Sequence, residues 1–361
     1  MSQSVDPFAS TYAQARAQFL AAAEGLPLQS HPEPLRGLEL EALAMDVARL
    51  GADDADRLLI VSSGCHGVEG YCGSGAQVAL LRDDAFRARA RDAGVALLFI
   101  HALNPWGFSF GRRVTHEGVD LNRNFVDFRR PTPRNAGYDQ LAALLLPEQW
   151  PPTGGNELQL MSYAAAHGMP ALQEAVSGGQ YDHPDGVFYG GKSPTWSHNT
   201  LRMVLRQHAT KCRQLGWIDL HSGLGESGVG ERIFSCRDDD AAKHRAKAWW
   251  GNRVTFMDDG SSTSANLQGN LWHTAYEECG QATYTGIGLE FGTQPMATVI
   301  DALRFDHWVA RRRLPHDERV AAARAAMRHA FFTDTPEWKK AVLAQTREAA
   351  LQAVNGLHDR R

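Results

Sequence analysis

The sequence predicts an α/β fold in which helices cover a mostly parallel sheet. Four short apolar segments have the length and composition of buried strands: residues 57–63, 95–105, 215–223 and 284–293. Segments with helical periodicity lie between them, and this alternation is typical of parallel sheets. Each apolar segment runs directly into polar residues or glycine. Because α/β sheets bind ligands beyond the carboxyl ends of their strands, we expect a site there.

The first half of the chain supplies further elements. Residues 8–24 are rich in alanine and have apolar residues at helical spacing, which predicts an opening helix. Residues 39–50 fit either a strand or a helix, and residues 73–84 fit the helix that follows the strand 57–63. The strand at 95–105 ends at an Asn-Pro pair, which is a turn signal.

Two regions depart from this alternation. Residues 129–200 are rich in proline, glycine and aromatic residues. We expect an insertion with a helix or two, which either shapes a substrate entrance or lies on the surface. Residues 301–361 are helical in pattern and heavily charged, which favours a solvent-exposed helical wall. We treat residues 1–361 as one domain, with its motif core at 55–295.

Composition and charge limit the classes of protein. The chain has 361 residues, 43% hydrophobic and 22% charged, with a net charge of −4. This charge gives no indication of nucleic-acid binding, and no apolar stretch of about 18 residues predicts a membrane span. No signal-peptide pattern is present, so we expect a cytoplasmic protein. The five scattered cysteines predict free thiols and no disulfide framework. The oligomeric state is open.

Candidate metal ligands follow two of the predicted strands. In "SSGCHGVEG", residues 62–70, His66 and Glu69 lie three residues apart in a glycine-rich turn. Alone, this pair favours an ordinary capped turn with an incidental histidine, because His-x-x-Glu occurs by chance in many proteins. His221 directly follows the apolar segment "WIDL", with Asp219 two residues earlier on the same strand face. A His, Glu and His set is typical of hydrolytic zinc sites, so one Zn²⁺ per chain is the interpretation that we favour.

Other charged residues fit the remaining tasks of a hydrolase. A zinc hydrolase needs a base for the attacking water, and Glu290 ends a glycine-rich strand where an unpaired carboxylate would be costly. The stretch 104–125 contains Arg112, Arg113, Asn122 and Arg123. Arginine forks bind carboxylates and stabilise oxyanions, although a run of arginines is more often a solvated face.

Four motifs follow one another between about residues 55 and 295: "HGVEG", "NPWGF…R…GVDLNRNF", "DLHSG" and "GLEFGT". In this order the sequence resembles the carboxypeptidase A-like zinc carboxypeptidases. That superfamily also includes the aspartoacylase and succinylglutamate desuccinylase amidohydrolases. "GVDLNRNF" is the most specific of the four. The resemblance implies a mixed eight-stranded sheet between helices and a substrate that is a small peptide or an acyl amino acid.

The resemblance also implies residue roles. His66, Glu69 and His221 would bind zinc, and Asp120 would orient His66. Glu290 would be the general base and later the proton donor. Arg113 would hold the oxyanion, with Arg112 as the alternative. Asn122 and Arg123 would bind the carboxylate of the substrate. The cysteines Cys65 and Cys72 are expected to be bystanders.

Several alternatives stay open. The carboxypeptidases place a mobile tyrosine over the substrate, and neither Tyr276 nor Tyr284 has convincing context for it. Its absence would favour an N-acyl amino acid amidohydrolase. The sequence "GLGESG", residues 223–228, matches a dinucleotide fingerprint, but an extended segment follows it where a helix is required. A non-catalytic binding protein on the same fold is the remaining alternative. No G-x-S-x-G elbow supports a serine hydrolase.

Overall fold

The computed structural model describes residues 6–237, 239–312 and 318–359. Within them, eight strands form one sheet. The strands are β1 (Leu28–Arg36), β2 (Ala42–Leu50), β3 (Arg57–Ser63), β4 (Ala96–His101), β5 (Gln214–Gly223), β6 (Gly230–Phe234), β7 (Val254–Thr255) and β8 (Thr283–Gly292).

The sheet is mixed, with a parallel centre. The strand order is β1-β2-β4-β3-β5-β8-β6-β7. The four central strands β4, β3, β5 and β8 are parallel. Strand β2 runs antiparallel to β4, and β6 runs antiparallel to β8. The predicted fold class is therefore confirmed: an α/β fold with a mixed, mostly parallel sheet of eight strands.

Thirteen helices of more than three residues accompany the sheet in the described part of the chain. They are α1 (Tyr12–Ala22), α2 (Gly70–Arg82), α3 (Asp84–Asp92), α4 (Pro105–Phe110), α5 (Ala136–Leu145), α6 (Gly154–His167), α7 (Met169–Ser177), α8 (Trp196–His208), α9 (Asp240–Trp250), α10 (His273–Glu278), α11 (Met296–Arg311), α12 (Glu318–Phe331) and α13 (Pro336–His358). None of these helices has the length and apolar content that crossing a membrane requires.

The four predicted apolar strands correspond to β3, β4, β5 and β8. The ambiguous segment 39–50 contains strand β2. Strand β1 was not predicted, because eight of its nine residues are exposed or half-buried and it contains two prolines. Proline is tolerated at a sheet edge, where one side of the strand needs no hydrogen-bond partner. The segment after "GLGESG" is strand β6, so no helix follows the dinucleotide-like match.

The C-terminal helices are more than a solvent-exposed wall, which corrects the expectation for residues 301–361. Helix α13 packs against β3 and β5 and buries Trp338, Val342 and Val354. Helix α11 buries Val299 and Leu303. The charged residues of α13 occupy its outer face, while its apolar residues at helical spacing turn towards the sheet. Helix α11 also buries two charged residues, Arg304 and Asp306. Residues 313–317, 360 and 361 lie outside the described residues.

The insertion at 129–200 holds three helices, α5, α6 and α7, and the start of α8. Arg304 of α11 fastens it to the rest of the molecule. The Arg304 guanidinium donates to the carbonyl oxygens of Leu144 and Leu145 at 3.0 Å and to Oδ1 of Asn156 at 2.8 Å. These charge-assisted bonds are buried, so they hold the insertion helices in place beside the carboxyl end of the sheet.

Candidate metal centre and active site

A tight turn after β3 places His66 and Glu69. Residues Gly67–Glu69 form a single 3-10 turn that leads into α2. The N–H groups of Gly67 and Val68 donate to the carbonyl oxygens of Arg113 and Arg112, at 3.1 and 2.9 Å. A Cβ atom at position 67 would lie 2.1 Å from the backbone of Gly107, so only glycine allows this close approach. The turn is thereby fixed against the segment that carries the arginines.

The structure brings His66, Glu69 and His221 together. One ligand atom from each of these buried residues lies within 4.8 Å of the other two. Glu69 stands between the two rings, with Oε1 at 2.9 Å from Nδ1 of His66 and Oε2 at 3.0 Å from Nδ1 of His221. Both imidazoles therefore present the same nitrogen, Nδ1, to the centre of the group.

The other ring nitrogen of each histidine faces a buried carboxylate. Nε2 of His66 lies 3.1 Å from Oδ1 of Asp120, and Nε2 of His221 lies 2.6 Å from Oδ2 of Asp219. Asp219 in turn accepts a hydrogen bond of 2.5 Å from Ser62. A carboxylate in this position fixes the tautomer and orientation of a metal-binding histidine, which leaves Nδ1 of His221 free for a metal ion. Nε2 of His66 has a second neighbour, Nη2 of Arg113 at 2.8 Å.

The donor atoms fit a divalent metal ion. Nδ1 of His66 is buried and has no hydrogen-bond partner, although Oε1 of Glu69 is 2.9 Å away. A buried polar atom without a partner is costly, and a metal ion would satisfy it. Two imidazole nitrogens and one carboxylate match the three protein ligands of catalytic zinc sites, which keep a further position open. This group could therefore hold a metal ion.

Electrostatics around the group favour charged ligands. Burial alone would raise the pKa of Glu69, but the His66 and His221 rings outweigh it and lower that pKa. Burial would likewise raise the pKa of Asp120, and Arg113 and Arg123 reverse the effect and hold it well below its usual range. Both carboxylates are therefore ionised at neutral pH, as metal ligands and their partners must be.

Glu290 lies on the strand next to His221. In the parallel pairing of β5 with β8, His221 is the register partner of Glu290. Oε1 of Glu290 accepts a hydrogen bond of 2.9 Å from the N–H of Leu224. Burial, with the negative charge of Glu69, raises the pKa of Glu290 to about 8. A carboxyl group with such a pKa in a pocket has the properties of a general acid or base.

The side chains of the neighbouring residues Arg112 and Arg113 point to different parts of the structure. Nη1 of Arg113 donates to Oε1 of Glu69 at 2.9 Å, and its Nε donates to Oδ2 of Asp120 at 3.0 Å. Arg113 also borders a pocket into which His66, Glu69 and His221 face. Arg112 instead points to α11, where its Nε lies 2.9 Å from Oδ2 of Asp306. Only Arg113 therefore has the position for a role at the site.

Asn122 and Arg123 also border the pocket. The Arg123 guanidinium donates to the carbonyl oxygen of Ser177 through Nε and Nη2, at 3.2 and 2.7 Å, and to that of Asn122 at 3.1 Å. A guanidinium has five N–H groups, so these bonds leave two for a ligand. Phe188 lies under both Arg113 and Arg123, with its ring centroid 5.4 Å from each guanidinium carbon.

Several other polar or aromatic residues near strand ends are not part of the group formed by His66, Glu69 and His221. His101 is buried against Phe19 and bonds to Ser74, and Asn104 caps helix α4. The hydroxyl of Tyr276 accepts a hydrogen bond from the N–H of Arg237, outside the pocket. Tyr284 lies on β8 in the pocket floor, six residues before Glu290. All five cysteines are free and buried, and none lines the pocket.

The site opens into a pocket of about 510 Å³. This volume is typical of cavities that enclose a small-molecule ligand. The pocket wall includes residues of the 129–200 insertion, such as Leu172 and Val176, so the insertion forms part of the pocket.

The sequence did not identify every group at the site. Asp219 was recognised by its strand face but received no role. The Leu224 N–H that holds Glu290, and Phe188 under the arginines, had no local signal in the sequence.

Comparison with solved structures gives low identities over most of the chain. A carboxypeptidase A from Helicoverpa armigera is 12% identical, with 91% of this chain and 75% of that chain aligned and a TM-score of 0.47. Bovine thrombin-activatable fibrinolysis inhibitor is 12% identical (95% and 100% aligned, TM-score 0.45). The murein-tripeptide amidase MpaA of Escherichia coli is 16% identical (82% and 97% aligned, TM-score 0.35).

Among curated proteins, none matches this sequence. A family model described as "Protein of unknown function (DUF2817)" matches residues 8–345, which is nearly the whole chain. The chain therefore belongs to the DUF2817 family.

Proposed function

We propose that this protein is a hydrolase that uses one zinc ion per chain to cleave an amide bond beside a free carboxylate, as a carboxypeptidase does. The arrangement of His66, Glu69 and His221 carries the proposal. Three buried donor atoms within 4.8 Å of one another include a histidine nitrogen without a hydrogen-bond partner. The group lies in a pocket beside a carboxyl group whose pKa is raised to about 8.

The residues divide the chemistry among them. A zinc ion held by His66, Glu69 and His221 would supply Lewis acidity, which polarises a carbonyl group and makes water more acidic. Glu290 would take the proton of the attacking water and pass it to the nitrogen of the leaving amine as the carbon–nitrogen bond breaks. Arg113 would stabilise the negative charge on the carbonyl oxygen. Asp120 and Asp219 would orient the two histidines.

Asn122 and Arg123 would bind the carboxylate of the substrate. Arg113 and Arg123 are the only arginine or lysine side chains among the residues that line the pocket. Arg113 is engaged by Glu69 and Asp120. Arg123 therefore has the better position to pair with a carboxylate through its two remaining N–H groups.

An N-acyl amino acid amidohydrolase is the second candidate, and the apolar lining of the pocket favours it. The two candidates share the leaving amino acid with its free carboxylate and differ only in the acyl group, which is a peptide in one and a simple acid in the other. A cytoplasmic location and the lack of a nucleic-acid partner stay predictions from the sequence.

Metal content is the measurement that tests the proposal. Wild type, His66→Ala and Glu290→Gln are purified without chelator, and metals are quantified by mass spectrometry. We expect about one zinc per chain in wild type and in Glu290→Gln, and little in His66→Ala. Hydrolysis of peptides and acyl amino acids should be lost in both variants. Wild-type protein that binds no metal after zinc is added back would instead support a non-catalytic binding protein.

A further inference from the structure

The pocket is much more apolar than the chemistry of the site requires. Its apolar residues come from the sheet, the insertion and helix α11. The sheet contributes Trp217 and Ile233, among others. The insertion contributes Leu172 and Val176, and helix α11 contributes Ile300 and Leu303. Apart from the charged residues already placed at the site, the lining contains no acidic or basic side chain. A ligand that fills this pocket must therefore bury a large apolar group.

Each amide side chain of the lining makes one hydrogen bond within the protein, and Asn122 does so through its oxygen, which leaves its Nδ2 for a substrate carboxylate. Oδ1 of Asn122 accepts from the N–H of Leu271 at 3.0 Å. Nε2 of Gln173 donates to the carbonyl oxygen of Thr263 at 2.7 Å, and Nδ2 of Asn270 donates to that of Leu267 at 3.1 Å.

The serine hydroxyls of the lining also make hydrogen bonds within the protein. Each donates to a backbone carbonyl oxygen of the chain at 2.7 to 3.1 Å. These serines are Ser177, Ser222, Ser235 and Ser264. A buried peptide would bring several N–H and C=O groups that need partners, and an unmatched one is costly. A hydrocarbon chain has no such requirement, so the pocket favours it over a peptide.

Gly288 opens a passage along the floor of the pocket. It lies on the same face of β8 as Glu290, two residues earlier, and is the only residue of the strand after Thr283 that is not buried. A Cβ atom added at Gly288 would be in ordinary van der Waals contact with Ser235, His221 and Ile233, at 3.6 to 3.9 Å, so the glycine leaves unfilled a part of the pocket that a larger side chain would occupy. The hydroxyl of Tyr284 lies over Gly286. Gly286 is four residues before Glu290, so the floor of the pocket from Glu290 to this hydroxyl is about 13 Å long at ~3.3 Å per residue.

The mouth of the pocket is apolar as well. Met169 of α7 and Met296 of α11 line the pocket and are 59% and 43% exposed. Exposed apolar residues grouped around a cavity mark a surface that contacts an apolar ligand. An apolar chain that enters the pocket therefore meets the side chains of Met169 and Met296.

We propose that the acyl group of the substrate is a long hydrocarbon chain, so that the substrate is an N-acyl amino acid with a medium- or long-chain acyl group. This inference rests on the proposed function. Water adds to the amide carbon, the carbon–nitrogen bond breaks, and the products are a fatty acid and an amino acid. The proton moves from the water to the amine through Glu290. Gly288 determines how long a chain the pocket accepts.

Two measurements test this proposal independently. The zinc-loaded protein is titrated calorimetrically with hexanoate, octanoate and decanoate, and hydrolysis of N-acyl-L-alanines is followed from acetyl to dodecanoyl, alongside unblocked dipeptides. Each buried methylene should raise affinity and kcat/KM about three- to fourfold. The same series is run on Gly288→Val and on the milder Gly288→Ala. The control is Gly154→Val, because a Cβ at Gly154 of α6 meets no atom within 4 Å.

The outcomes separate the two proposals. We expect Gly288→Val to lower the ratio of octanoyl to acetyl kcat/KM at least tenfold, with a smaller effect in Gly288→Ala and none in Gly154→Val. Binding that grows with chain length in a protein without amidase activity would uphold the chain-binding pocket and overturn the proposed function. Amide hydrolysis without chain-length dependence, or faster cleavage of dipeptides than of any N-acyl-alanine, would overturn the chain proposal and leave the hydrolase standing.

Discussion

Oδ2 of Asp219 lies 2.6 Å from Nε2 of His221, and the two residues project from the same face of β5. The two-residue period of a strand puts a carboxylate directly behind the histidine. Asp219 is itself held by Ser62 of β3, its register partner, whose Oγ also accepts from Nε1 of Trp217 at 2.7 Å. The sheet thus fixes which nitrogen His221 presents to the candidate metal centre.

Removal of Asp219 should weaken metal binding without removing a ligand. We expect Asp219→Ala to lower the zinc affinity about 10- to 100-fold, because the tautomer and orientation of His221 are no longer fixed. Asp219→Asn should have a smaller effect, since its amide oxygen can still accept the hydrogen bond. Competition with a chromophoric chelator measures the dissociation constants. The control is Asp92→Asn on the exposed end of α3. Equal affinities in Asp219→Ala and wild type would exclude an orienting role.

Adjacent arginines offer a matched pair of substitutions. Arg113→Lys keeps the charge but loses the planar fork that faces Glu69, Asp120 and the pocket. If Arg113 stabilises the oxyanion, kcat should fall about 100-fold. Arg112→Lys disturbs only the pair with Asp306, so kcat should change little. Steady-state kinetics on the best acyl amino acid decides this, and similar losses in both variants would contradict the assignment.

Much of the site was predictable because its residues lie at the carboxyl ends of apolar strands or just after them. His221 and Glu290 were found in this way, and His66 and Glu69 follow β3 within six residues. The strand order was not predictable from periodicity, because it depends on which strands pair in three dimensions. The residues that line the pocket could not be predicted from the sequence either. Leu172 and Val176 have the same helical spacing as core residues, and nothing local distinguishes a side chain that faces a cavity from one that faces the core.

Substrate binding should depend on Arg123 and on the carboxylate of the substrate together. We expect Arg123→Ala to raise KM about 10- to 100-fold for a substrate with a free carboxylate, the loss typical of a charged hydrogen bond. The same substrate with an amidated carboxyl group should be affected much less. Arg129→Ala is the control, since its side chain is 91% exposed and pairs with Asp127. Equal losses on both substrates would show that Arg123 acts only by holding the insertion through Ser177.

The raised pKa of Glu290 should be visible in the stability of the metal-free protein. Burial, with the charge of Glu69, raises that pKa from its usual 4.5 to about 8. The folded state therefore binds the proton more tightly than the unfolded state. The stabilisation is complete below about pH 4.5 and is lost as the pH rises towards 8. The glutamine in Glu290→Gln cannot ionise, so this variant does not lose stability in that pH range through residue 290.

We expect the melting temperature of Glu290→Gln in chelator to exceed that of wild type by an increasing margin between pH 5 and 8.5, reaching about 2–5 °C. Thermal scans at matched ionic strength measure the margin. The exposed Glu226 on the loop between β5 and β6 provides the control variant Glu226→Gln, which should show no such trend. Added zinc should narrow the margin, because a nearby cation favours the ionised carboxylate. A margin that is constant from pH 5 to 8.5 would mean that Glu290 ionises normally, and would remove the basis for its role as an acid and base near neutral pH.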